Sequence, residues 1–590
     1  MAEVKNPYPD YQQDNLLFQQ LLKLRYPLDP WAREVEENLA PRRPRWLLQA
    51  VQTYETQYTY NHNFNDNIFD STAVLALRSA TGGFLSNATS PAMPWVALGV
   101  RDKEIAKKPI VKACLDYVND RILTCFDQSN FYGEMAMFFY DLLCMPAAVT
   151  LIEKDPKFKV RYNTLPWGSY VLGVDENGDV NQIGREEEYT VRQLIPLFCK
   201  MNDDGNYDLS NISVPIQGFW KSGTNENLDR RVVVRHLIRP NPKYDPNQPQ
   251  DIYKKWISRY FEKLWGEHQG KFLRESGFDE FPAFVARWSK RSQEVYANDC
   301  PALQVLGDIK QLYANREDLN HGTDLVLDPP LVGPEAFNEE LIQKGPGGFT
   351  PDNAQNKEAG LRELFPIPHD LTWVSKNIEV LKDIINRGFF VDLFLAISRL
   401  REQGENAKIT ATEVDALKNE KFQEVGSVVQ TVFRSLRQCI DVTFAYLNEA
   451  GEFPPFPPEI AGKELPPEFL SPFARSQKTA LLSLTDKLLE YFERMHAMDP
   501  TVVLNANFRA ILENISMVLN LPSDYLNDQD EVNKQKAQMQ QQQAAQQQAE
   551  TANTASGTAK NMAQSPTDNG GLLQKLLELS GQGQPAAAGA

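Results

Sequence analysis

The sequence predicts a mixed α+β protein, on three observations. Apolar residues recur at three- and four-residue spacings toward both ends of the chain. Between about 147 and 290 they gather instead into short β-rich runs bounded by turn residues. Past 299 helical spacing returns on both sides of a Pro- and Gly-rich excursion, 321–371, which is too long for a bare loop and suggests a small subdomain on a stalk.

The first sixty residues read as helical and charged, with Arg42, Arg43 and Arg45 a solvated, Pro-broken corner. In "DSTAVLALRSATGGF", Asp70 is placed to cap a helix carrying Val74, Leu77, Thr81, Phe84 and Leu85 on one stripe. Gly82 and Gly83 allow a backbone to pack closely there. The helix leaves through "SNATSPAMPWVALG", where Trp95 reads as a core anchor for a loop rather than a ligand platform. The longest apolar stretch, "MAMFFYDLLCMPAAVTLI" at 135–152, is interrupted by Asp141 and Pro146 and reads as core rather than a bilayer span.

"AVTLIE", "KFKVRY", "SYVLGVDENGDV", "RRVVVRHLI" and "PAFVARW" predict antiparallel strands, and Asn177-Gly178 predicts a type I′ hairpin because both residues tolerate positive φ. "RPNPKYDPNQPQ", 239–250, is an exposed loop. Asp299 and Pro301 open a helix with Val305, Ile309 and Leu312 in line and Leu306 and Tyr313 alongside, ending by about 320. After the excursion Val374, Ile378, Leu381 and Ile385 mark a second helix, with a kink at Arg387-Gly388. Thr410 and Glu413 form a capping box for a long helix with Val414, Leu417, Val425, Val429, Val432, Leu436, Ile440 and Leu447 on one face. Gly451 ends it after a span of roughly 60 Å at about 1.5 Å per residue. More helix is expected over 474–520, then a Gln/Ala-rich end of helical or disordered composition, with Leu572, Leu576 and Leu579 in a short apolar stripe.

At 590 residues the chain exceeds one core's usual size, so two to four packed regions are expected. Hydrophobic residues make up 42% and the mean hydropathy is -0.45, enough apolar material for real cores. A formal net charge of -17 opposes tight non-specific phosphate binding, so any DNA contact must be local or weak. The six cysteines form no C-x-x-C and suggest a reducing compartment, and the N-terminus lacks a signal-peptide pattern.

Catalytic motifs do not appear. "GEHQGKF" at 266–272 has the wrong spacing for a phosphate loop, and "GPGGF" at 345–349 sits in a Pro-rich loop without the flanking strand and helix. The six histidines are remote from one another, and neither a nucleophile elbow nor a protease-like Cys is found. No catalytic, cofactor-binding or metal residue is assigned.

In order and spacing, three segments resemble the head-to-tail connector, or portal, proteins of short-tailed (podovirus-type) bacteriophages. They are "FDSTAVLALRSATGGFLSNATSPAMPWVALG", "SGFDEFPAFVARWSKRSQEVYANDCPALQVLGDIKQL" (276–312) and "ITATEVDALKNEKFQEVGSVVQTVFRSLRQ" (409–438). The resemblance spans about 10–530; where family members often carry GE-x-YG-x-GP, this chain reads "SQEVYANDCP".

The resemblance implies an α+β phage portal fold, ring-forming and usually dodecameric. It implies a helical wing over 1–298 containing the antiparallel β region, and a two-helix stem over 299–320 and 372–397 flanking a small clip subdomain over 321–371. A tunnel loop over 398–410, a wing-to-crown helix over 411–450, a helical crown over 451–530 and a low-complexity C-terminal barrel or flexible tail over 531–590 complete it. The implied setting is the virion, at one capsid vertex, after assembly in host cytoplasm. The implied partners are further copies of the chain, dsDNA passing through, the terminase large subunit, major capsid protein, scaffolding protein and tail adaptor or tail tube proteins, with no membrane. In the tunnel segment Arg399, Arg401 and Lys408 either approach phosphates transiently, without reading bases, or are solvated or paired with Glu402 and Glu405 on the loop itself. Two other classes stay open: a metal-dependent nucleic-acid hydrolase, and an internal scaffolding or ejection protein, which the Gln-rich end permits.

Overall fold

Each expected β-run becomes a strand, and all strands of the middle region pair antiparallel. The computed structural model of the chain describes residues 9–40, 68–106, 108–263, 271–334, 346–352, 362–364, 372–393, 426–496, 507–519 and 532–546. They divide into two compact units, Met1–Val503 and Leu504–Ala590. In the first unit, β1 is Val96–Leu98. Strands β2 (Ala148–Asp155), β3 (Lys159–Leu165), β4 (Tyr170–Val174), β5 (Val180–Thr190), β6 (Arg231–Pro240), β7 (Trp256–Glu262), β8 (Arg274–Phe278) and β9 (Ala283–Ala286) follow. They form a five-stranded meander in the order β4-β5-β6-β7-β8 and a three-stranded sheet in the order β3-β2-β9.

Helices α1 (Pro9–Arg25) and α2 (Asp29–Asn38) open the chain; Arg42, Arg43 and Arg45 lie outside the described residues. Helix α1 is held to the meander by charge as well as by Phe18. The fully buried Asp14 accepts from Arg239 Nε on β6 (2.7 Å) and Arg259 Nη1 on β7 (2.8 Å), and Arg235 Nε donates to Glu186 on β5 (3.0 Å). A buried charge persists only when paired, so these arginines occupy inward strand positions that an apolar pattern would otherwise claim.

Helix α3 (Thr72–Ala88) forms where expected and buries a narrower, smaller-residue face than its apolar spacing suggested: Ala73, Ala76, Leu77, Ala80, Phe84 and Ala88. Val74 and Leu85 are only partly buried, Gly82 faces open space, and Gly83 is buried. The exit loop leads Trp95 into the core, where it stacks on Phe126 (5.4 Å between centroids), Phe131 (5.8 Å) and Phe469 (6.5 Å). Phe126 and Phe131 belong to α4 (Pro109–Gln128) and α5 (Phe131–Cys144). The apolar stretch at 135–152 runs from α5 into β2 and is mostly buried, with Met137 exposed. No helix among the described residues is long and apolar enough to cross a membrane.

The hairpin at Asn177-Gly178 forms with a different turn. Gly178 alone takes positive φ (75°), its N–H donates to Asp175 O (3.0 Å), and the register shifts between Gly173 and Val174. Asp175 Oδ1 accepts the N–H groups of Asn177 (2.9 Å) and Asp179 (2.8 Å). That side-chain acceptor favours a right-handed turn closed by one left-handed glycine over the type I′ pair. Helices α6 (Val191–Phe198) and α7 (Val214–Ser222) cover one part of the meander; α6 starts at a capping box made by Thr190 and Gln193.

Beyond the β region come α8 (Leu306–Leu327) and α9 (Thr372–Gly388), then α10 (Gly426–Glu449), α11 (Pro472–His496) and, in the second unit, α12 (Phe508–Leu519). Residues 532–546 are helical and exposed. The Thr410–Glu413 capping box, Val414, Leu417 and Val425 lie outside the described residues, as do Leu572, Leu576 and Leu579. What is described of the long helix buries Val429, Val432, Leu436, Ile440 and Leu447 as expected. It ends with Gly451 at φ 73°, whose N–H donates to Asn448 O (3.1 Å) while Glu452 N–H donates to Leu447 O (3.0 Å). Those two bonds are a Schellman stop, which a glycine adopts without steric cost. The chain then returns as β13 (Pro467–Phe469), antiparallel to β1 with Val96 opposite Phe469.

Candidate functional site: a two-helix stalk carrying a small sheet

The excursion has structure of its own. Strand β10 (Leu331–Pro334) lies between β11 (Phe349–Asp352), parallel to it, and β12 (Arg362–Glu363), antiparallel to it. The described part of "GPGGF", 346–349, leads into this small sheet: Gly347 takes φ 68° and donates to Asp328 O (2.9 Å), and Gly348 O accepts from Leu331 (2.9 Å). A side chain at 347 would meet the Asp328 carboxylate at 2.6 Å, so the glycines serve the turn.

The flanking helices α8 and α9 pack along the apolar seam their spacing predicted, Ile309 and Leu312 with Ile378, Leu381 and Ile385. Helix α8 continues to Leu327, past the stop expected near 320, because Leu319 packs on the core and Thr323 Oγ1 returns a hydrogen bond to Leu319 O (2.6 Å). The kink expected at Arg387-Gly388 appears as a helix stop: α9 ends at Gly388, Phe390 takes φ 57°, and residues 391–393 are helical again. Gly388 also sits against the start of α8, where an added Cβ would lie 2.2 Å from Val305 Cγ1.

The stalk joins the rest of the unit through polar contacts on successive turns. Lys310 Nζ approaches Glu34 Oε2 (2.7 Å), and Tyr313 OH donates to Asn38 O (2.8 Å), both on α2. Further along, the Asp70 carboxylate receives Lys382 Nζ of α9 (2.9 Å) and Arg316 Nε of α8 (3.6 Å). The N-cap position falls on Ser71, one residue later than expected, yet Asp70 still serves the first turn by accepting from Thr72 N–H (2.9 Å) and from the Thr72 hydroxyl. Burial pushes the Asp70 carboxyl up, but the Thr72 and Lys382 hydrogen bonds outweigh it and hold it below the usual carboxylate range.

The tunnel-segment residues Arg399, Arg401 and Lys408, with Glu402 and Glu405, lie outside the described residues. The sequence pattern singled out neither Arg316 nor Lys382, since nothing local ties them to a carboxylate so far away in the chain. Their only signal is a basic residue beside a buried seam on each of two helices. Among the described residues, no group of three or more His, Cys, Asp or Glu side chains is placed to hold a metal ion. The six cysteines are free thiols, five of them buried.

Helices packed with antiparallel sheets are the mixed α+β class the resemblance implied, and comparison with known proteins gives the family. The model of the bacteriophage head to tail connecting protein family matches residues 13–526, and the chain belongs to that family. It is 30% identical over 492 residues to the probable portal protein of Bordetella phage BPP-1, covering 83% of this chain and 84% of that protein. It is 25% identical over 552 residues to the portal protein of Salmonella phage epsilon15, covering 93% of this chain and 95% of that protein. Its role is that of a portal, the head-to-tail connector of a phage capsid.

Proposed function

We propose that copies of this chain close into a ring, a dodecamer, at one capsid vertex and act there as a non-enzymatic conduit for dsDNA during packaging and ejection. The observation that carries this reading is the family match over 13–526, which includes the whole two-helix stalk. On this reading α8 and α9 are the stem, and the β10-β11-β12 sheet is the clip. The clip docks the terminase large subunit first and tail adaptor or tail tube proteins later. The body meets the major capsid protein and, during assembly, the scaffolding protein. Energy for transport comes from the separate packaging ATPase.

The charge balance suits passage. DNA affinity grows with each Lys or Arg that displaces a counterion, so a chain of net charge -17 offers the duplex little to hold it still. Within the stalk, α8 carries Asp308, Glu317, Asp318 and Asp324 against Lys310 and Arg316. Arg399, Arg401 and Lys408 supply brief, sequence-blind phosphate contacts.

Electron microscopy of the purified full-length chain tests the reading. Rings with a central opening wide enough for duplex DNA are expected; compact monomers without an opening at every concentration would overturn it.

A further inference from the structure

We infer that Asp70 is a positioning residue that fixes the stalk against the body, through one carboxylate shared by the first turn of α3, by Arg316 of α8 and by Lys382 of α9. Apolar packing joins α8 to α9 and α9 to α3 in one core, but such contacts are non-directional and favour burial over one particular register. A carboxylate with separate partners on three elements does set it. One oxygen is engaged by Thr72 of α3, and the other faces both cations. Lys310–Glu34, nearer the root of the stalk, is an ion pair with both side chains about half exposed and is correspondingly weak.

Exposure is asymmetric at Asp70. The carboxylate is 5% exposed, whereas Arg316 and Lys382 are 38% and 32% exposed. If the carboxylate is neutralised, both cations turn to water. If Lys382 is removed, the buried charge keeps its Thr72 hydrogen bonds but has only the longer Arg316 contact as its ion pair, which is the more costly loss. A tie of this kind therefore has a signature that ordinary packing lacks: neutralising Asp70 relieves the loss of Lys382.

Amide hydrogen exchange of the full-length protein, read in peptides from 306–327 and 372–388 with the five-stranded meander as internal control, tests this. Asp70→Asn is expected to speed exchange in both stalk helices about tenfold and to leave the meander unchanged. Lys382→Met should speed it further, and Asp70→Asn/Lys382→Met should be no faster than Asp70→Asn alone. Arg316→Met, which keeps the shorter Lys382 contact, should give a smaller rise in the same peptides and serves if Asp70→Asn yields no soluble protein. Unchanged stalk exchange in these variants, a rise shared equally by the meander, or single effects that multiply in the double variant would each overturn the assignment.

Discussion

Single side chains carry two opposite lessons. Trp95 is fully buried against three aromatic rings from three segments, as its place in a polar loop suggested, and its value is packing. Trp95→Ala should cost about 3–5 kcal/mol in denaturant unfolding, the range for emptying a large core site. Asp70 was legible as an acceptor for the first helical turn and illegible as an ion-pair centre, because such an acceptor is read from neighbouring residues and its cations come from other helices. Its folded-state carboxyl lies below its unfolded value, so ionisation favours the folded state. That contribution is complete above the ordinary carboxylate range and is lost as pH falls through the lowered value. Thermal unfolding of wild type and Asp70→Asn should therefore differ near pH 7 and converge only as the solution is acidified through the lowered value.

At the level of elements, legibility followed polarity. Strands β2, β4, β6 and β9 showed in their Val, Ile and Phe runs. Strands β5 and β7 did not, since Arg185, Glu186, Ser258 and Arg259 point into protein and find partners only after the fold brings them together. Helices α8 and α9 were visible in their apolar spacing, but their mutual approach was not, because it depends on what an absent Cβ would strike. Gly388→Ala places a methyl against the stiff, β-branched Val305 and should destabilise by about 1–3 kcal/mol, seen as a lowered urea midpoint. Gly388→Ala/Val305→Ala should recover part of that loss, since the second change removes the colliding atom.

For the whole molecule, the composition that argues against a DNA trap is also what makes a few basic residues worth testing. Replacing Arg399, Arg401 and Lys408 together with Ala should leave rings assembled but impair packaging or genome retention, measured as DNA per particle. Unchanged DNA content in that triple variant would remove the tunnel assignment. The return of β13 to β1 has a consequence of another kind. Trp95 is covered by Phe469, and the ladder partner of Val96 is supplied by the same late segment, so about 370 residues must be added after Val96 before this part of the core can close. Such distant pairing slows folding and prolongs exposure of apolar surface on the nascent chain. Translation that stops before 467 should therefore yield aggregating fragments rather than a smaller folded body, which makes completion of synthesis a checkpoint before any subunit can enter an assembly.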